Sequence, residues 1–300
     1  MRSPIGASTL AKKTQMIGRS MCPVIVGLLC SISTTATIAA PTPAPPELRL
    51  GTDARPLRCA LDLVVVPEHS NFTGHAMIEL KLARRLSTLW LHGSGLIVDQ
   101  AHLEIGSSRI SVRVETTGIQ RLGFALERPA GPGRARLHVA YHGAISDQVR
   151  GNGTLWDGNG GLFRRQHNGD WYAATFFAPT FARLAIPCFD EPGFRIPWQV
   201  TLHVPREHMA LANAPAVSEV DEPGGMKRVR FAETQPLPSY VVAFAVGPFD
   251  ALDLGKFGRK GTPLRIITPR GRTSEAASAA KSLPERSRLL EDYGIQQRGR

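Results

Sequence analysis

LRCALDLVVV, Leu57 to Val66, puts Cys59, Leu61, Leu63 and Val65 at alternate positions. Period two is the repeat of a strand with one buried face. The same pattern continues outward. HAMIELKL places Ala76, Ile78, Leu80 and Leu82 on one face. TLWLHG, LIVDQAHLEIG, RISVRVE, LGFALE and RARLHVAYHG follow, each short and bounded by Gly, Ser, Asn or Pro. A second set comprises WQVTLHVP, KRVRFAE, SYVVAFAVGPF and PLRIITP. Short strands at about ten-residue spacing predict an all-β, antiparallel sandwich. No internal repeat and no amphipathic helical segment occurs before residue 270. GNGTLWDGNGG, Gly151 to Gly161, reads as a long flexible connection.

Both ends of the chain differ from this middle. Residues 1–40 carry Arg2, Lys12, Lys13 and Arg19 with no acid, then the apolar run CPVIVGLLCSI, then small residues ending at Ala39 and Ala40. That is the order of a signal peptide, and the expected location is exported, periplasmic or secreted. The apolar run is short of the ~20 residues of a membrane span, so no span is expected after cleavage. An uncleaved anchor is the other reading. PTPAPP opens an extended linker over residues 41–56. At the far end, Thr273 or Ser274 reads as a helix N-cap, Pro284 as a first helical position and Gly294 as a stop. Leu289, Leu290 and Tyr293 would form an apolar stripe. The division is therefore 1–40 signal peptide, 41–56 linker, 57–255 β domain and 256–300 a strand and a helical start.

Composition narrows the function. With 42% hydrophobic and 20% charged residues, 300 residues can bury a sizeable core. The net charge is +11, and four of those charges lie in the first 40 residues. The other basic residues are scattered, without the dense stripe expected of a nucleic-acid partner. Cys59 and Cys188 remain after the signal, either as a disulfide or as two buried thiols.

Catalytic motifs are sparse. His-Glu-x-x-His, Gly-x-Ser-x-Gly and a phosphate-binding glycine loop do not occur. His138 and His142 have a spacing that suits a metal on a helix. On a strand, though, four residues hold the rings ~13 Å apart, too far for one ion. No histidine–carboxylate group has zinc-ligand spacing along the chain. The pair Asp190 and Glu191 would point to opposite faces of a strand, so a role in hydrogen-bonding backbone and turn groups is expected rather than acid–base chemistry.

ARLAIPCFDEPGF, Ala182 to Phe194, resembles the Ala-Arg-x-x-Phe-Pro-Cys-Phe-Asp-Glu-Pro-x-Phe signature of the aminopeptidase N family of zinc metallopeptidases, the gluzincin aminopeptidases. The resemblance extends over GLFRR at Gly161, TLHVPREHMALANAP, PLPSYVVAFAVGPFD and the opening hairpin, roughly Leu57 to Phe249. It implies a saddle-shaped N-terminal β domain that precedes a catalytic domain carrying Gly-x-Met-Glu-Asn and the zinc-binding His-Glu-x-x-His. Residues 1–300 contain neither motif, so the resemblance implies a chain cut before that domain, with zinc only in the complete family proteins. In the family a Thr-Gln-x-Glu-Pro segment reaches into the active site, and its Glu helps hold the substrate's α-amino group. The matching residues here read TFFAP, with Phe176 at the Gln position and Ala178 at the Glu position. Two functions follow. One is the N-terminal portion of an exported aminopeptidase, inactive alone and acting on peptides when completed. The other is a non-catalytic periplasmic binding or interaction module.

Overall fold

In the computed structural model the alternation of LRCALDLVVV becomes β1 (Ala54–Val64), whose Cys59, Leu61 and Leu63 are each 1% exposed. The structure describes residues 46, 49–117, 120–147, 160–258, 261–283 and 285–286. β1 pairs antiparallel with β2 (Asn71–Leu82), with a bulge at Pro56, which has no N–H to give to the ladder. After β3 (Leu86–His92), β4 (Ile97–Ile105), β5 (Ser108–Thr117), β6 (Arg121–Ala130) and β7 (Gly133–Ala144), the order across the sheet at this side is β1-β2-β7-β4-β5-β6-β3.

β5 makes the corner. Residues 108–111 pair with β4, and residues 112–117 pair with β6. The chain thereby passes from the β1-β2-β7-β4 sheet into the β5-β6-β3 sheet. Leu61, Ile78, Leu137 and Val139 from the first and Leu89, Leu91, Leu122 and Phe124 from the second belong to one buried core. Burial of that apolar surface is the main favourable term, at roughly 25 cal/mol per Å².

The second half adds a hairpin that periodicity does not announce. β8 (Gly161–His167) and β9 (Asp170–Phe176) are joined at Asn168–Gly169, both with positive φ (51° and 90°). Asn-Gly in this conformation is the strongest short hairpin signal, here flanked by charged residues that hide the strands. β10 (Arg195–Ile196), β11 (Trp198–Pro205), β12 (Met209–Ala212), β13 (Ala216–Glu222), β14 (Met226–Phe231), β15 (Leu237–Pro238), β16 (Phe244–Gly247), β17 (Phe249–Phe257) and β18 (Thr262–Pro269) follow. β11 joins β1 in parallel, the one departure from antiparallel pairing among the named strands. The chain between them, from β2 through β10, is far longer than the crossover of about a dozen residues that a parallel pair needs. β12-β16-β9-β8 form a separate four-stranded sheet, and β17-β18 a hairpin.

Three expectations are corrected here. SYVVAFAVGPF is not one strand: Ser239–Val241 is a turn of 3-10 helix, and β16 starts only at Phe244. Asp190 and Glu191 lie in an irregular turn, not a strand. Thr273 is inside a 3-10 turn, Thr273–Ala276, capped by Arg272 without a side-chain bond. A short helix follows at 277–283. The expected signal peptide, Pro284, Leu289, Leu290, Tyr293, Gly294 and most of the Gly151–Gly161 connection lie outside the described residues. Among the described residues no helix is long and apolar enough to cross a membrane.

Candidate functional site

The segment from Thr175 to Phe194 leaves β9, turns through a 3-10 helix at Ala182–Leu184 and ends at β10. Its apolar side chains are core: Phe177, Ala182, Ala185, Ile186, Cys188 and Phe189 are all buried. Phe177 packs edge-on against Phe244 at 6.4 Å between centroids. The buried Tyr141 hydroxyl donates to the Ala185 carbonyl at 3.1 Å. His92 and Cys188 exchange backbone hydrogen bonds of 2.8 and 3.0 Å, which ties the segment to β3.

Its polar residues form one network. Asp190 is 2% exposed. One carboxylate oxygen accepts from Arg183 Nε at 2.8 Å, and the other accepts from the Ser239 hydroxyl at 2.6 Å. Arg183 Nη2 also donates to the Asp190 carbonyl at 3.1 Å, and Nη1 to Gln120 Oε1 at 2.6 Å. The backbone N–H of Asp190 donates to His92 Nδ1 at 3.1 Å. Burial first, then the Arg183 charge, push the His92 imidazole down to about 4, with Arg121 adding to this and Asp190 opposing it. A buried charge is tolerated only when paired and hydrogen-bonded, and Asp190 is both. Glu191 points elsewhere, its Oε1 accepting from the Leu50 N–H at 2.6 Å. The sequence reading of both acids as hydrogen-bonding groups agrees with this. It did not foresee the ion pair with Arg183 or the partners His92 and Ser239, which lie 98 and 49 residues away in the chain.

Phe176 and Ala178 flank the buried Phe177 at the end of β9, and both are half-buried. Phe176 sits opposite Gly161 in the ladder with β8. Thr175 Oγ1 accepts from the Phe244 N–H at 3.0 Å and so fixes β9 against β16. Asn213 secures the next turn, accepting from Ala243 N–H at 2.7 Å and donating to the Val241 carbonyl at 3.0 Å. The end of β9 is thus held by its ladder with β8 and by Thr175 against β16, and its half-buried positions 176 and 178 carry an aromatic ring and a methyl group.

Gly161 is needed where it stands. Its φ is +94°, and an added Cβ would sit 2.8 Å from Leu184 Cβ in the signature turn. Gly161→Ala is expected to lower unfolding free energy by about 1–3 kcal/mol, from positive-φ strain plus the clash. Urea denaturation would show it, and a loss under a few tenths of a kcal/mol would mean that the turn yields freely.

Two further sequence expectations can be compared with the geometry. Cys59 and Cys188 are both free and buried, and burial raises both thiols well above the usual range. Of the two alternatives left open, the structure has the thiols. His138 and His142 lie on β7 as strand residues, as expected. However, cross-strand pairing brings His138 together with His102 and Glu104 of β4. Spacing along the chain does not reveal this grouping, which arises from the pairing of β4 with β7.

An all-β domain whose buried Arg–Asp pair secures a Pro-Cys-Phe-Asp-Glu-Pro turn defines a class, and the comparisons name it. Residues 55–241 match the family model of the peptidase M1 N-terminal domain. The chain belongs to the M1 peptidase family through this domain. It is 29% identical to a puromycin-sensitive aminopeptidase of Caenorhabditis elegans over 236 residues, covering 76% of this chain and 24% of that protein. Aminopeptidase M1-B of Oryza sativa subsp. japonica is 30% identical over 263 residues, 83% of this chain and 28% of the relative. Glutamyl aminopeptidase of Rattus norvegicus is 26% identical over 259 residues, 82% and 26% respectively. The chain thus spans about a quarter of the length of these curated relatives.

Proposed function

We propose that this chain is the N-terminal portion of an exported, zinc-dependent aminopeptidase-like protein, that it supplies one edge of the peptide-binding site, and that it has no peptidase activity alone. The observation that carries this reading is the rigid mounting of the β9 end. Thr175 fixes the end of β9 to Phe244, and Arg183, Asp190 and Ser239 fix the segment that follows Phe176 and Ala178. Such mounting is what a binding edge needs to keep its geometry. Export is supported by the basic, apolar and small-residue order of residues 1–40.

The zinc of the reaction is not assigned to residues of this chain. His-Glu-x-x-His does not occur in the sequence. Among the described residues, the cluster His102, Glu104 and His138 stands on β4 and β7, not on the signature segment. When bound in a complete protein, zinc would polarise the scissile carbonyl and activate water. This chain's part is to present the edge that carries Phe176 and Ala178 to the bound peptide.

A bound α-amino group is cationic and loses water on entry. A hydrogen bond to a charged group contributes ~1.5–3 kcal/mol, roughly ten- to hundred-fold in affinity. Ala178 has no acceptor side chain to offer, and a ring at position 176 returns only about 0.5–2 kcal/mol with the cation over its face. In a version completed by a catalytic domain, Ala178→Glu with Phe176→Gln is therefore expected to raise the specificity constant for free-amino substrates about tenfold or more. The assay compares free and N-acetylated forms of one substrate. Equal preference for the free terminus in both proteins would show that the amine is held elsewhere. Chelator-sensitive peptidase activity in the 300-residue chain alone would refute the proposal at its root.

A further inference from the structure

The outer face of the β2-β7-β4 sheet carries a row of imidazoles that nothing in the signature site uses. His102 of β4 and His138 of β7 are direct cross-strand partners. Their rings stack at 4.5 Å between centroids with 1° between planes. Glu104, two residues beyond His102 and so on the same face, brings its carboxylate to both. Oε1 lies 3.6 Å from His102 Nε2, and Oε2 lies 3.4 Å from His138 Nε2. His75 of β2 adds a third ring 5.5 Å from His138. His138 Nε2 is shielded from solvent and makes no well-aligned hydrogen bond.

We propose that His102, Glu104 and His138 form a binding site for a zinc-class divalent cation, with Nε2 of each imidazole and one Glu104 oxygen as ligands and water completing the shell. The three ligand atoms lie within 4.8 Å of one another. A tetrahedral ion with ligands at ~2.0–2.2 Å spaces them about 3.3 Å apart. The nitrogen–carboxylate distances of 3.6 and 3.4 Å run to different Glu104 oxygens, so whichever oxygen ligates is already near that spacing from one of the two imidazoles. To converge on one ion the two stacked rings must tilt toward each other and the Glu104 carboxylate must turn, on a backbone whose Cα atoms the ladder between β4 and β7 holds in register. Two borderline nitrogen donors with one carboxylate suit zinc-class ions and disfavour calcium and magnesium, which take all-oxygen shells.

The site has a built-in opponent. Arg109 Nη2 lies 3.2 Å from His102 Nδ1, and arginine can only donate, so that nitrogen is the acceptor and Nε2 carries the proton. A metal on Nε2 requires the opposite tautomer, with Nδ1–H donating to an acceptor. Arg109 is exposed and must turn away on loading. Its replacement by an acceptor should therefore strengthen binding, which a merely crowded row of histidines would not do.

The experiment is a zinc titration of the full chain carrying Cys22→Ser and Cys30→Ser, in competition with a chromophoric chelator. One equivalent is expected to bind in the micromolar range and to raise Tm, since the ion binds only the folded register. Glu104→Ala and His138→Gln should each weaken binding about tenfold or more, by loss of one of three ligands. Glu104 is 38% exposed in its side chain, so its removal leaves the fold intact. Arg109→Gln should tighten binding several-fold. His142→Ala, four residues along β7 and paired with Asp99 instead, should leave affinity unchanged. Zinc binding that is absent, that survives Glu104→Ala and His138→Gln undiminished, or that weakens in Arg109→Gln overturns the assignment.

Discussion

Asp190→Ala is expected to cost about 3–5 kcal/mol of unfolding free energy, the usual penalty for removing one partner of a buried ion pair. The reason is what it leaves behind. The Arg183 side chain is 12% exposed, and its Nε would face a cavity where the carboxylate was. The Ser239 hydroxyl would lose the acceptor that it meets at 2.6 Å. The stability of a domain is typically ~5–15 kcal/mol, so this one change removes a large part of it. Ser239→Ala should cost less, about 1–3 kcal/mol, because Asp190 keeps its charge partner and loses a single donor. Chemical denaturation of both variants at neutral pH is the measurement. If Asp190→Ala loses under 1 kcal/mol, the network does not hold the signature turn, and the rigid mounting of β9 needs another cause. A double-mutant cycle with Ser239→Ala should show non-additivity, since both groups meet at one carboxylate.

That network also marks how far the sequence could be read. The β1 and β2 faces were legible because Cys59, Leu61, Leu63 and Ile78 alternate cleanly, and one buried face is enough to fix strand and register. The β8-β9 hairpin was not, because Arg164, Arg165 and Gln166 interrupt the alternation, although Asn168–Gly169 carried the turn signal. β12 is too short, and β13 too exposed, for periodicity to reveal. Site legibility divides in the same way. Arg183 and Asp190 were marked by their place in a motif. Ser239, His92 and the His102–Glu104–His138 cluster depend on pairings between strands distant in sequence, which spacing along a chain does not encode. His102 and His138 are 36 positions apart and still face each other, because β4 closes on β7 from the other side of a two-strand excursion.

Acidification should weaken the fold through His92. Its imidazole is 3% exposed and accepts a hydrogen bond at Nδ1 from the Asp190 N–H, so the neutral form is the one the fold is built around. A proton on Nδ1 would set a donor against a donor beside the Arg183 guanidinium. Burial, with that charge, holds the folded value at about 4, against ~6.5 for an exposed histidine. The folded state therefore binds fewer protons than the unfolded state between these limits, and stability rises with pH across them. The contribution is complete above about pH 6.5 and is lost as pH falls to 4. The difference corresponds to about 3 kcal/mol in full and roughly 2–3 kcal/mol by pH 4.5. His92→Asn offers an amide oxygen for the same N–H and cannot titrate. Unfolding free energies of both proteins at pH 7.5 and 4.5 isolate the effect, because the other titrating groups are common to both. The wild-type chain should lose about 2–3 kcal/mol more than His92→Asn on acidification. Parallel losses in the two proteins would mean that His92 takes up its proton at little cost, with the Asp190 carboxylate accommodating the charge and the N–H turning to another acceptor.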